Sequence, residues 1–539
     1  MHRNSCLVLF SFFLFFCYGC RKKEENKATS KEQSVSINLS SEPQTLDPRK
    51  ARTLNDINLL NMMFEGLVRT SKEGKPELAL AEKYFVSSDK KSYTFILRES
   101  FWNNGLPITA YDFVYAWKKA LSVDFPSSMA WQLYVIKNAK EVKEGKLGQD
   151  KLGVLASDDK TLVINLENPT HHFLELLCLP IFFPVQNEID EKFPKWAETA
   201  SGFTSNGPFC LKKWHHHDSI CLVKNEKYWD RKKVKLSKIS LWMISSENEF
   251  SLYENEDLDW AGSPFSDLPN DFLEKERKED KVNIKPYLGT FFLRVNSITE
   301  KKEENDFLLN KNFRKALASS IDRGEMVDHI MQGKQIATTC LVPQEMGLHS
   351  APLFPLYNKE YSKAVLQKAI GSKSNELISL SLMYINKEKN HLIAQCLQRN
   401  WEKNLGLQVQ LLPVERKIYF EKLQRLDYQL ALGSWLADFT DPINFLEVFK
   451  SKDNGTNNTG WESASYFSLL EESNKAEGKE QRRKLLSRAE KELIDNMPII
   501  PLFHMTLNYL KRDELKNVHL SSLGHIDFKY AFKEKEEKR

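Results

Sequence analysis

Long apolar runs, an excess of one charge and the common catalytic signatures are all missing from this 539-residue chain. Its 77 Lys and Arg nearly offset 73 Asp and Glu, for a formal charge of +4, and the basic residues alternate with acidic ones instead of forming a stripe. That distribution argues against a nucleic-acid partner. The apolar run Leu7 to Phe16 falls short of the roughly 20 residues that span a bilayer, so it does not read as a transmembrane anchor. There is no GxxxxGK phosphate loop, no HExxH, no GxSxG and no dinucleotide glycine pattern, which removes the obvious ATPases, metalloproteases and hydrolases. Cysteine is sparse: past Cys20 there are Cys178, Cys210, Cys221, Cys340 and Cys396, an odd set that cannot all pair. Cys210 and Cys221 flank a hairpin-like segment, "GPFCLKKWHHHDSICLVKN". An oxidising compartment permits a bridge between them, and small buried hydrophobes fit the positions equally well.

What is there describes a globular protein, 41% hydrophobic and 28% charged, long enough for two or three lobes. Arg3, the run Leu7 to Phe16, "CYGC" and then "RKKEENK" have the layout of a secretory signal. The stretch resembles a bacterial lipoprotein signal cleaved after Gly19, with lipid on the Cys20 thiol; Cys17 and Tyr18 depart from the aliphatic and small residues such signals prefer. "SVSINLS" alternates as a strand, and "INLLNMMFEGLV" has helical spacing with Gly66 near its end. "SYTFILRESFWNNGLPITAYDFVYAWKKAL" reads as strand, turn and helix. Thr109 caps that helix with Asp112 reaching back, and Phe113, Val114, Trp117 and Leu121 form its apolar face. "HHHD", His215 to Asp218, is the one cluster resembling metal ligands. In an extended segment only His215 and His217 share a side, with no CxxC or HxxxH partner, so a solvated turn without metal is expected.

The strand-like "YQLALG" runs into "GSWLADFTDP", which holds two carboxylates. Asp438 and Asp441 are compatible with an acid–base pair, a metal site or a single fixed charge awaiting a cation. Asp441 precedes Pro442 in a turn, where Asp commonly bonds its own backbone, and it reads as structural.

"SEPQTLDP", "MFEGLV", "YTFILRESFWNNGLPITAYDFVYAWKKAL", "SNGPF", "NEKYWD", "FRKALASSIDR" and "WEKNLGLQV" occur in the order and spacing of the extracytoplasmic peptide-binding proteins of ABC importers. From about Ser36 to Tyr509 the chain resembles an oligopeptide-binding lipoprotein of that peptide/nickel solute-binding family. The resemblance implies an α/β, three-lobed flytrap fold with mixed sheets and a discontinuous first lobe. Residues 1–19 would be signal peptide and 20–33 a polar tether. Lobe I would comprise 34–64, 204–288 and 505–539, lobe II 65–203, and lobe III 289–504. "TEKKEENDF" would be a surface loop and "KEKEEKR" a solvated end. The ligand would lie between lobes I and III, enclosed by a hinge motion.

The family's Trp-x-x-Asp motif is here Trp435-Leu436-Ala437-Asp438, which implies that Asp438 pairs with a peptide's α-ammonium. The peptide would add as a strand, bonded to the main chain of Ser434 and Leu436 on one side and of Arg52 and Leu54 on the other. Trp435 would line a pocket, and His391 and His504 would approach the ligand. Relatives hold the peptide C-terminus with arginines at positions that are Leu423 and Leu432 here; His391, Arg416 and Arg425 are nearby in sequence as substitutes. No enzyme activity, cofactor or metal is implied. The implied partners are oligopeptides, separate permease and ATPase chains, and a membrane reached through lipid on Cys20. A monomer in the bacterial periplasm or on the outer face of the cytoplasmic membrane is expected. The same fold retuned for a metal chelate, haem, a sugar or a cell-wall peptide is the alternative, and an adhesin or an enzyme using Asp438 and Asp441 is a third.

Overall fold

Val35 and Ile37 alternate with less buried neighbours to make the first strand, β1 (Ser34–Asn38). In the computed structural model, which describes residues 33–269, 281–298, 307–371, 377–453 and 455–534, β1 lies inside a large mixed sheet. The expected signal, Cys20, nearly all of the tether and most of "TEKKEENDF" and "KEKEEKR" lie outside the described residues. The other strands of this sheet are β2 (Phe209–His215), β3 (Ser219–Lys224), β4 (Lys238–Trp242), β5 (Trp260–Gly262), β6 (Asn283–Val295), β7 (Ile336–Ala337), β8 (Ser379–Ile385), β9 (Gln408–Val414), β10 (Leu430–Leu436) and β11 (Ile499–Lys511). Their spatial order is β9-β8-β10-β6-β11-β5-β1-β4-β3-β2, with β7 paired to β11. β8 runs parallel to β9 and β10, and β1 parallel to β4 and β5, whereas β6 is antiparallel to β10 and β11. The long partners β6 and β11 lose regular register between Pro286 and Thr290.

A separate four-stranded sheet contains Ala81–Val86, Ser92–Leu97, Thr161–Asn165 and Val154–Ala156 in that order. The helix Ala110–Ala120 packs beside it. Its capping box is present, with the Thr109 N–H donating to Asp112 at 2.8 Å, and Phe113 and Trp117 are fully buried.

The helix read from "INLLNMMFEGLV" starts earlier and stops sooner, spanning Leu54–Met63. Thr53 and Asp56 form a capping box that sets its start. Gly66 is not its cap; a Cβ there would lie 2.9 Å from Phe183 and 3.1 Å from the Leu177 carbonyl, so glycine allows a close chain approach.

The β2–β3 hairpin forms, but a bulge between Leu211 and Lys213 sets Cys210 opposite Val223 and Cys221 opposite Lys213. All five described cysteines are free. At the turn, Glu42 accepts from the His217 N–H and the Trp214 indole and bonds His216 Nδ1.

Two long-range ties recur below. Arg49 bonds both Asp47 (2.8 Å) and Asp190 (2.6 Å), all three buried or nearly so. Gln33 joins the two ends of the described chain, its side chain donating to the Lys533 carbonyl and accepting from the Lys533 N–H, both at 3.0 Å.

Candidate ligand-binding site

Strand β10 is apolar and buried over Leu430–Leu432, then opens, with Ser434 and Leu436 exposed. On one side it pairs with β6 along its whole length, from Val295 opposite Leu430 to Gly289 opposite Leu436. On the other, β8 reaches only Leu430 and Ala431. From Leu432 to Leu436 that outer edge has no ladder partner among the described residues.

The Ala437 N–H donates to the Leu288 carbonyl at 2.8 Å and so fixes the parity of the ladder. Residues alternate between facing and avoiding the partner strand. Gly433 and Trp435 therefore turn their polar backbone groups toward β6, while Leu432, Ser434 and Leu436 turn theirs to the open edge. The Tyr419 hydroxyl takes the Leu432 carbonyl, which closes the edge at that end.

Asp438 stands at the other end, half-buried. Its side chain touches Asn444 Nδ2 at 3.5 Å, and it makes no ion pair among the described residues. Burial pushes its carboxyl up to about 6, against the opposing hydrogen bond from Asn444. Asn444 Oδ1 also accepts from the Trp435 indole (2.9 Å) and the Asp438 N–H (3.3 Å), so one amide orients both motif residues. Asp441 has a different role. It accepts from the Ile443 N–H and from both Nη atoms of Arg482, at 2.6 and 2.8 Å. Burial raises its pKa, but the Arg482 bonds and charge outweigh that and leave it below the usual value. The two carboxylates thus differ sharply: one is neutralised in place and one is left without a cation.

Asp438 borders a small cavity of about 10 Å³ with Glu175, Thr440, Leu523 and His525. This space adjoins another of about 320 Å³ that shares Gly74, Thr440 and Leu523 and includes Lys72, Lys285 and Glu345. A third cavity, of about 120 Å³, is bordered by Phe291, Phe503 and Met505 together with Asp267, Lys389 and Asn390.

The anticipated site residues do not all converge. Ser434, Trp435, Leu436 and Asp438 do, through β10. Leu54 lies near Gly524 and Tyr287: a Cβ on Gly524 would lie 3.1 Å from its Cδ2 and 3.2 Å from the Tyr287 ring. Burial, with the charges of Asp267 and Asp438, raises the Tyr287 hydroxyl pKa. Arg52 is exposed, and its N–H points to Asp56 at 3.5 Å. His391 is exposed and bonds the Tyr384 hydroxyl, while its neighbours Lys389 and Asn390 border the third cavity. His504 is 1% exposed. Thr290 donates to the Leu341 carbonyl, so His504 Nδ1 donates to Thr290, and burial pulls the ring pKa to about 4. Leu423 and Leu432 are buried in apolar clusters. Asn444, Tyr287 and Arg482 were not anticipated. The turn begun by Asp441-Pro442, which folds Asn444 back toward the motif, was the available signal for the first.

The fold and this open strand edge are those of a solute-binding protein. Residues 75–457 match the family described as bacterial extracellular solute-binding proteins, family 5 Middle, and the chain belongs to that family. It is 38% identical to the oligopeptide-binding protein OppA of Bacillus subtilis, over 98% of each chain. Among solved structures it is similar to the murein tripeptide-binding protein MppA of Escherichia coli (27% identity, TM-score 0.80, 94% of this chain and 99% of that one). It is likewise similar to OppA of Haemophilus influenzae in complex with RPPGFSPFR (26% identity, TM-score 0.78, 94% and 99%).

Proposed function

We propose that this protein captures oligopeptides and passes them to an ABC importer whose permease and ATPase are separate chains. The peptide lies as an added strand along the open edge of β10, bonded to the main chain of Ser434 and Leu436, with its ammonium group on Asp438. The observation that carries this reading is the uncompensated Asp438 carboxylate at one end of an unpaired strand edge. A cation entering there supplies the missing charge, and main-chain readout leaves ligand side chains free to vary. The peptide ligands of the B. subtilis and H. influenzae relatives support the same class of cargo.

The lobes divide as 34–64, 204–288 and 505–539, then 65–203, then 289–504, and closure brings the first and third together. Lipid on Cys20 holds the protein at the outer face of the membrane, where it acts as a monomer without catalysis. Calorimetry with a short peptide and its N-acetylated form tests the core of this reading. Acetylation is expected to weaken binding by about 2 kcal/mol or more, the range for truncating one partner of a buried charge pair. Equal affinity for both forms would reject Asp438 as the ammonium site.

A further inference from the structure

Among the described residues, the other buried arginines meet carboxylates or several main-chain carbonyls, whereas Arg294 meets only a tyrosine hydroxyl and an aromatic ring. Arg49 and Arg482 pair with carboxylates. Arg314 and Arg323 are caged by main-chain carbonyls: those of Leu308, Leu309 and Asn496 for the first, and of Ala318, Leu356 and Pro501 for the second. Arg294, on β6, is only 6% exposed and has no ion pair among the described residues; it hydrogen-bonds the Tyr419 hydroxyl, and its Nε has no partner, as is also true of Arg482 Nε and Arg323 Nη2. Its guanidinium lies near the Phe292 ring, 4.9 Å from the centroid. Such a contact offsets little of the cost of desolvating an unpaired cation.

Its position explains what the charge is for. Arg294 pairs with Ala431 on β10, and its guanidinium reaches across Gly433: a Cβ there would sit 1.9 Å from Nη1, so any side chain at 433 would displace the guanidinium from this position. Tyr419, which closes the open edge at Leu432, feels this charge, since burial raises its hydroxyl pKa and Arg294 pulls against the rise. The cation thus stands where the unpaired edge ends, and Asp438 stands where it begins. Leu423 and Leu432 supply no charge in this region, and Arg294 brings one from the neighbouring strand.

We propose that Arg294 receives a carboxylate of the bound peptide about four residues after its amino end. The inference rests on the peptide reading above. Gly433 and Asp438 are five residues apart, about 16 Å at roughly 3.3 Å per strand residue, and an extended ligand advances about 3.3–3.6 Å per residue. A guanidinium receives a C-terminal carboxylate or an acidic side chain with the same forked geometry, and both sources place the charge within this span.

The test is calorimetry on the full chain and on Arg294→Met, with five probes. Tetra-alanine as the free acid, its C-terminal amide and its N-acetylated form separate the two ends. Ala-Ala-Glu-Ala amide, against Ala-Ala-Gln-Ala amide, probes the side-chain source. In the unaltered protein the free acid is expected to bind at least tenfold more tightly than the amide, or the Glu peptide than the Gln peptide. Arg294→Met is expected to erase whichever preference occurs while keeping the response to acetylation. A thermal melt checks that the variant folds, and comparing acid with amide on the unaltered protein needs no variant. Binding that senses acetylation but no carboxylate overturns the role of Arg294 and leaves the peptide reading standing. A carboxylate preference that survives Arg294→Met also overturns it. Indifference to acetylation, or failure to bind any probe, removes the peptide reading and this inference together.

Discussion

At the scale of single residues, the role proposed for Asp438 trades stability for recognition. In an unfolded chain its carboxyl titrates near ~3.9, whereas burial holds it at about 6 in the folded protein. Between those values the folded state keeps a proton that the unfolded chain has released, so the stability of the unliganded protein falls as pH rises across the window and stays lower above it. For a half-buried group the penalty is on the order of 1–2 kcal/mol. Asp438→Asn is therefore expected to raise the melting temperature of the unliganded protein at pH 7 by about 2 °C while weakening peptide binding. Affinity of the unaltered protein should decline below about pH 6, by up to about tenfold per unit, because the ammonium binds the ionised form. Calorimetry from pH 5 to 8 checks this, and a flat profile would show that Asp438 does not bind the cation. The place of Asp438 just past the end of a strand was legible in the sequence because Trp435 marks the motif. Asn444 and Arg294 were not: the first acts through a turn, and the second is one arginine in an alternating strand, whose meaning depends on the register that brings it over Gly433.

At the scale of elements, the open edge of β10 makes a prediction that side-chain recognition would not. Ser434 points its N–H away from β6, so proline at this position leaves the β6 ladder intact, as edge strands allow. Ser434→Pro is expected to fold but to lose peptide affinity by about tenfold, the worth of one well-placed hydrogen bond. Ser434→Ala should stay within about threefold. Circular dichroism and titration together decide the matter; equal effects from the two substitutions would count against main-chain readout. The strand was visible in "YQLALG", as was the helix cap at Thr109 and Asp112 beside the separate four-stranded sheet. That the edge is open was not visible, because it depends on where β8, some 50 residues earlier, stops pairing. The helix at Leu54–Met63 was misjudged at both ends because Thr53 and Asp56 lie outside the apolar repeat that announces a helix.

At the scale of the whole molecule, Arg49 ties segments 141 residues apart. Burial raises the Asp190 pKa, yet the Arg49 bonds and charge, with bonds from Tyr115 and Trp196, hold it down at about 2. That stabilisation is present above the unfolded value of ~3.9 and is lost as pH falls toward 2. Arg49→Met strands both Asp47 and Asp190, and is expected to cost about 3–5 kcal/mol, seen as a lower urea midpoint at pH 7 and a smaller difference from the unaltered protein near pH 3. The order of the large sheet was beyond the sequence for a similar reason. β5 pairs with β11 through residues some 250 positions apart, and no local pattern signals so distant a neighbour. The clasp between Gln33 and Lys533 carries a practical corollary. A reporter grafted after Lys533 would crowd the place where the described chain begins, whereas a short joiner there, with fresh termini cut in an exposed turn such as residues 88–90, should give a circular permutant that melts and binds as before.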